Sequence, residues 1–458
     1  MKKGFTLIEL LAVIVILAII AVIAVPIVLN IINDAKESAV LRSADFYLDG
    51  VEKSIATSVL NDLQIKDGTY SVMPDANICI GTLDDNVCTG DILKIEIDGQ
   101  LPKEGKVKIK EGKIVKILLQ YDNGFITKKD NKLVFEKKIN LKDYIDILYN
   151  PTKTTTVNDI EYSLDEIHQL MNDRLGSKDV EKTEGNIRYY GKNPNNYIDI
   201  GDRDSEGNII FWRIIGLFKD IEVTDEEGNV VKTEDLVKII RSDYLTSGTV
   251  KNFSWDYIST GTYDNNWKES TLQLMLNDEV NGYYGSGITN YYNYKSGQDP
   301  TPIELDFTST GLSSKAYDKI ERVNWILGGY KTNGVYVDVM YKYERTGTNK
   351  WSGKIALMNS SDYGYSGDLS YCQSTLYHYS LDACKTTTWL YDSNKSQWTL
   401  NPFSSNKIYV FFVHSTGAFS DTDAKETYII RPVLYLKSDI GIVEEKETSE
   451  GLKYLVVK

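Results

Sequence analysis

Residues 4–26 read GFTLIELLAVIVILAIIAVIAVP. From Phe5 to Ile32 the apolar character is broken only at Thr6, Glu9, Pro26 and Asn30. That run meets the roughly 20 residues needed to cross a hydrocarbon core. Lys2 and Lys3 precede it, which places the N-terminus on the cytoplasmic side. A secretory signal peptide would have a shorter core closed by a small-residue cleavage site, and the run has none. It continues into NIINDAKESAVLRSADFYLDGVEKSIATSVL, where Ile31, Ala35, Leu41, Phe46, Leu48, Val51 and Ile55 recur near helical spacing. The expectation is one helix over residues 5–62, transmembrane over 5–32, amphipathic beyond, and kinked or locally melted at Pro26. Glu9 is the anomaly, because a carboxylate in hydrocarbon costs several kcal/mol unless it is paired or reaches the interface.

The string KKGFTLIELLAVIVILAIIAVIAVP resembles the class III signal of type IV prepilins and pseudopilins. The resemblance implies cleavage by a prepilin peptidase after Gly4 and N-methylation of Phe5. It places the family's assembly glutamate at Glu9 and its helix-breaking proline at Pro26. Removal of the leader, residues 1–4, would expose a cationic amine on Phe5. In the family's scheme Glu9 pairs with that amine on a neighbouring subunit, so burial of the lone acid is relieved on assembly. Implied partners are the peptidase, other pilin subunits, the membrane and an assembly platform. Location would be the membrane first and a surface filament afterwards.

At 458 residues with 42% hydrophobic content, the chain is long enough for more than one core. Its net charge of −14 disfavours general nucleic-acid binding, which depends on basic residues releasing phosphate counterions. Residues 101–142 oppose this trend, with twelve Lys against five acids. Residues 63–149 read as a small β-rich head. Alternating apolar and polar residues there are punctuated by Asp98-Gly99, Glu104-Gly105, Glu111-Gly112 and Asn123-Gly124, which are hairpin signals. A helix packed on a short antiparallel sheet is what the pilin resemblance implies. Lys106, Lys108 and Lys110 alternate with Val107 and Ile109, so they share a strand face that reads as a solvated surface discouraging edge pairing. An anionic wall polymer or DNA is the alternative occupant of that face.

Residues 150–184 read as a linker, NPTKTTTV, and a short helix beginning SLDEIHQL, with Ser163 as cap, Glu166 completing a capping box and His168 as a surface residue. Residues 185–458 form a compositionally different region, holding all seven Trp and 26 of the 32 Tyr. A helix is expected at WKESTLQLMLNDEVNGYY; the rest reads as an irregular, mainly β domain. The segments IRYYGKNPNNYIDI, FWRIIGLF, WKESTLQLMLN, WSGKIALMNSSDYGYSGDLSYC and IIRPVLYLKSDI resemble an uncharacterised surface domain of Firmicutes and mollicute-like proteins. Its closing RPVLYL strand is similar to that of the C-type-lectin-like group. The fold class expected for the whole is α+β.

Little in this region suggests catalysis. Asp202, Asp204 and Glu206 alternate before Gly207 as in a calcium loop, but the twelfth position is Arg213 instead of a bidentate glutamate. A hairpin loop is favoured, and TDEEGNVV repeats the same turn chemistry. Cys372, His378 and Cys384, with His414 downstream, are spaced too widely for a zinc knuckle. In an extracellular domain, disulfides Cys79–Cys88 and Cys372–Cys384 are the expected alternative. No serine elbow or phosphate-cradling loop is present, so no catalytic residue, metal or cofactor is expected. The aromatic excess, with Asn and Ser nearby, suits recognition of a glycan or a protein outside the cell. The tryptophans read mostly as core; NGYYGSGITNYYNYKSG and SDYGYSGDLSYC read as recognition loops. The conclusion is a minor or tip pilin-like subunit displaying an adhesive domain. Alternatives are a pseudopilin of a secretion or DNA-uptake machine, or a membrane-tethered enzyme acting on glycans.

Overall fold

The computed structural model describes residues 32, 34–58, 65–81, 83–84, 87–97, 99–121, 124–129, 131–136, 139–148, 154–157, 160–163, 186–280, 283–284, 291–307 and 309–458. The fold is α+β, dominated by sheet, and divides into two units, Met1–Lys138 and Ile139–Lys458. Among the described residues no helix is long and apolar enough to cross a membrane. The expected span, 5–32, lies almost wholly outside them, as do Gly4, Phe5, Glu9 and Pro26.

In the first unit a helix, α1 (34–58), buries Val40, Ala44, Tyr47, Leu48, Val51 and Ile55. Their spacing of three and four makes a single stripe. Phe46, read from sequence as part of that stripe, is instead 58% exposed. It sits one residue before Tyr47, about 100° around the helix, and Tyr47 takes the inward place. The stripe packs on a seven-stranded sheet, entirely antiparallel. Its strands are β1 (Gly68–Val72), β2 (Ile78–Ile80), β3 (Asp91–Leu93), β4 (Glu104–Lys110), β5 (Lys113–Tyr121), β6 (Gly124–Lys129) and β7 (Lys132–Glu136). They lie in the order β3-β2-β1-β4-β5-β6-β7. Val107, Ile109, Ile117, Leu119 and Ile126 supply the sheet's side of the core. Each such side chain contributes roughly 1.5–3 kcal/mol on burial. Tyr47 adds a hydrogen bond from its hydroxyl to the carbonyl of Ala76, 2.7 Å away.

The Glu111-Gly112 turn forms as expected, with positive φ at both residues, 51° and 71°, the geometry that matches strand twist in a two-residue hairpin. Glu104-Gly105 is not a turn. It opens β4, where a Cβ on Gly105 would stand 2.3 Å from the Leu118 carbonyl oxygen. That glycine permits close strand approach.

The boundary between units falls earlier than the end of the head at 149 read from sequence. Strand β8 (Ile139–Asn140) pairs with residues 441–442, and α2 (Leu141–Leu148) follows it in the second unit. Residues Thr154–Val157, expected as linker, pair with Ile160–Ser163 as a hairpin. Ser163 therefore ends a strand, and the rest of the expected helix, with Glu166 and His168, lies outside the described residues.

The second unit centres on a long hairpin, β11 (Trp212–Thr224) with β12 (Val230–Arg241). Beside it lie β9 (Ile187–Arg188), β10 (Tyr197–Asp199), β13 (Ile320–Glu321), β14 (Val323–Ile326), β15 (Lys350–Gly353), β16 (Ile355–Ala356), β20 (Val433–Leu436), β21 (Gly441–Glu447) and β22 (Lys453–Val457). The main path is β8-β21-β22-β10-β11-β12-β20-β13. A second sheet stacks β17 (Gln397–Pro402), β18 (Tyr409–Val413) and β19 (Phe419–Asp423). The expected long helix at 267 is short: one 3₁₀ turn, Trp267–Glu269, then α3 (Thr271–Asn277), capped by the Ser270 hydroxyl. Helices α4 (Val337–Thr346) and α5 (Ser360–Tyr365) pack on one another. Six of the seven tryptophans are buried, all but Trp351.

Candidate functional site

Both cysteine pairs form disulfides, Cys79–Cys88 and Cys372–Cys384. His378 and His414 each engage a residue close in sequence. Their Nδ1 atoms engage neighbouring hydroxyls, of Thr375 at 3.2 Å and Thr416 at 2.9 Å. The acidic alternation also dissolves into separate roles. Asp202 is buried and accepts hydrogen bonds from the Trp212 indole at 3.0 Å and the Ser313 amide at 2.9 Å. Asp204 accepts from the amides of Glu206 and Asn208. Asp225 and Asn229 repeat that arrangement in the second turn. Among the described residues no cluster of His, Cys or carboxylates is arranged to hold a metal.

Lys106, Lys108 and Lys110 do share a face, because Val107 and Ile109 point into the core. They are unequal. The ammonium of Lys106 donates to the Ser71 hydroxyl at 2.6 Å, and burial lowers its pKa, while Lys110 is exposed.

The expected loop SDYGYSGDLSYC is, in its first half, the buried helix α5; residues 360–366 are all inaccessible. Small residues let this tyrosine-rich turn enter the interior: a Cβ on Gly364 would meet Val337 at 2.4 Å. Exposed aromatic surface appears further on, around the second disulfide, where Tyr371, Tyr377 and Leu381 are 68%, 50% and 51% exposed. In NGYYGSGITNYYNYKSG, Tyr291 is fully buried with its hydroxyl on the Ser254 carbonyl. Residues 281–282 and 285–290 of that segment lie outside the described ones.

The densest polar chemistry is one that sequence reasoning did not single out. A cleft of about 190 Å³ opens between β11, β12, β14 and the two helices. Its floor is a buried charge cluster. Lys238, on β12, reaches Asp362 Oδ2 at 2.5 Å and Asn359 Oδ1 at 2.7 Å. Arg188 Nη1 meets the other Asp362 oxygen at 3.0 Å. Asn359 and Asp362 are the N-cap and third residue of α5, and each side chain accepts the other's backbone amide, so a capping box fixes both. Glu344 from α4 accepts the Ser361 amide at 3.0 Å and its hydroxyl. Rings enclose the cations. The Arg188 guanidinium lies 4.5 Å from Phe218, 4.7 Å from Tyr365 and 5.1 Å from Tyr341, and the Lys238 ammonium 5.2–5.6 Å from Phe218, Trp325 and Tyr435.

Burial dominates the ionisation of this cluster. It lowers the Lys238 ammonium and raises the Glu344 carboxyl to about 8, so Glu344 holds a proton at neutral pH. Nearby, burial at the start of α4 pushes Asp338 up to about 6. Two signals were present in the sequence: a lone lysine inside the apolar run LVKII, and the Asn-Ser-Ser-Asp capping pattern. Nothing along the chain says that they meet.

Residues 1–25 match the prokaryotic N-terminal methylation motif. That motif indicates a type IV pilin- or pseudopilin-like precursor, processed by a prepilin peptidase and assembled with other pilins. No curated protein and no solved structure matches the chain, and the likeness of its C-terminal region to the C-type-lectin-like group is not supported by these comparisons.

Proposed function

We propose that this chain is a minor or tip subunit of a surface filament and that residues 139–458 act as its recognition domain, by binding and not by catalysis. The observation that carries the reading is the union of a methylation motif with a second unit far larger than the helix-and-sheet head. A domain of that size is awkward to repeat along a densely packed shaft. Two further features support it. Ile32, just before α1, and Phe46, on it, are 43% and 58% exposed, as a helix that packs against neighbouring subunits requires. Tyr377 and Leu381 stand on the loop closed by the Cys372–Cys384 disulfide, and Tyr371 directly precedes it, a rigid aromatic surface of the kind that recognises glycans or proteins.

Substitution of Glu9 by Leu tests the assembly part. Membrane insertion and cleavage after Gly4 should persist, with methylated Phe5 as the first residue by mass spectrometry, while incorporation into filaments is lost. Normal incorporation of the variant would sink the reading.

A further inference from the structure

The buried cluster places a lysine amine, an asparagine carboxamide and a carboxylate in mutual contact inside a ring of aromatic side chains. Lys238 is 1% exposed and Asn359 is within hydrogen-bond reach of its Nζ. Asp362 touches the amine through Oδ2, and the same oxygen accepts the Asn359 backbone amide at 2.9 Å. Asp362 is shared with Arg188, so one negative charge faces two basic groups. Arg188, the stronger base, neutralises it. An ammonium on Lys238 would then be an uncompensated charge in a dry interior, which is costly, whereas a free amine is not. Burial raises the Glu344 carboxyl as well, disfavouring a second negative charge beside the amine.

We propose that Lys238 and Asn359 condense into an intramolecular isopeptide bond, with Asp362 as the proton carrier. The neutral amine of Lys238 attacks Asn359 Cγ, the carbon one bond beyond the oxygen that it already approaches. As the Nζ–Cγ bond forms, Asp362 accepts a proton from Nζ and passes it to Nδ2. The Cγ–Nδ2 bond then breaks and ammonia leaves. One amine and one primary amide become one secondary amide plus ammonia, with no oxidant or reductant, and Asp362 ends as it began. The cleft above the cluster gives ammonia a path to solvent. Positioning is supplied by the fold, since the capping box holds Asn359 and Asp362 and the centre of the sheet holds Lys238.

The product removes a buried amine that is costly to protonate and fastens β12 to the start of α5, residues 121 apart in sequence. A covalent tie of that span restricts the unfolded chain as a long-loop disulfide does, but thiols do not reduce it. In a domain displayed on a surface it would hold the sheet and the helices together under load.

The test is tryptic mass spectrometry of the full-length reduced protein. Trypsin should skip Lys238, and the peptide Thr233–Arg241 should appear joined to Ile355–Lys385, lighter than their sum by one ammonia. In Asn359→Ala and Asp362→Ala the joined species should vanish, and the chain should migrate more slowly on a denaturing gel. Cleavage after Lys238 in the wild-type protein, with both peptides at their unmodified masses, would overturn the proposal. Because the deciding measurement is made on the wild-type chain, it stands whether or not the variants fold.

Discussion

The two units solve the same problem, a sheet that needs a covered face, by opposite routes. In the first, neighbours in the sheet are mostly neighbours in sequence. The strands from β4 to β7 are successive hairpins, and α1 supplies the cover from one preceding stripe. In the second, β8 pairs with β21 across some three hundred residues, and β20 enters between β12 and β13. Such pairings require long loops to close before any contact rewards them, which slows folding and makes each strand depend on distant ones. The interiors differ accordingly. The first core is apolar apart from the buried tyrosines Tyr47 and Tyr121. The second encloses a lysine, an arginine, an aspartate and a glutamate, each needing specific partners. A core of the second kind is more specific, and more vulnerable to the loss of one group.

The sharpest way to break the contrast is Asp362→Ala. It leaves Arg188 without its counter-ion and Lys238 without its hydrogen-bond partner, and should destabilise the second unit by about 3–5 kcal/mol. Hydrogen exchange resolved by residue should show no change in α1 or β1–β7; equal loss in both units would contradict the division. Next in size are the disulfides. Their sequence separations, 9 and 12, are alike, so removing either should cost roughly 2–3 kcal/mol in its own unit. Their exposure is not alike, since Cys372 and Cys384 are both buried whereas Cys88 is partly accessible. Titration with a thiol should therefore open Cys79–Cys88 first.

Asp338 gives a smaller effect with a definite sign. Its folded-state pKa lies above its ordinary value, so its contribution is fully present below about pH 4 and is lost as pH rises through about 6. Asp338→Asn should raise the stability of the second unit by about 1–2 kcal/mol at pH 8 and leave it unchanged at pH 4. Denaturant midpoints at the two pH values check this. Smallest of all, Phe46→Ser should shift the stability of the first unit by no more than about 0.5 kcal/mol, because the ring is exposed. A large loss would mean that Phe46 belongs to the core after all.

Where the sequence was legible, the signal was local. Glu111-Gly112 makes its turn because two adjacent residues can both take positive φ. Val107 and Ile109 face inward because a strand alternates, and Asp204 and Asp225 build their turns from amides within four residues. The methylation motif is likewise contiguous, within residues 1–25, and it carries the likeness to pilin-like precursors. Where reading failed, a local preference was overruled by something distant. Tyrosine, glycine and serine in residues 360–366 suit a surface loop, yet β17, β18 and α4 cover them. Ile139–Asn140 read from sequence as part of the head, yet it pairs with β21.

By its own order, the chain determined a motif-bearing apolar terminus, an amphipathic helix, a meander of hairpins and two short disulfide loops. Each of these follows from residues close enough to interact before the rest has folded. The tertiary structure alone decided which strands flank the long hairpin and that Lys238, Asn359, Asp362 and Arg188 meet at the floor of one cleft. Proximity between residues far apart in sequence is a property of the closed fold, and no pattern along the chain encodes it directly.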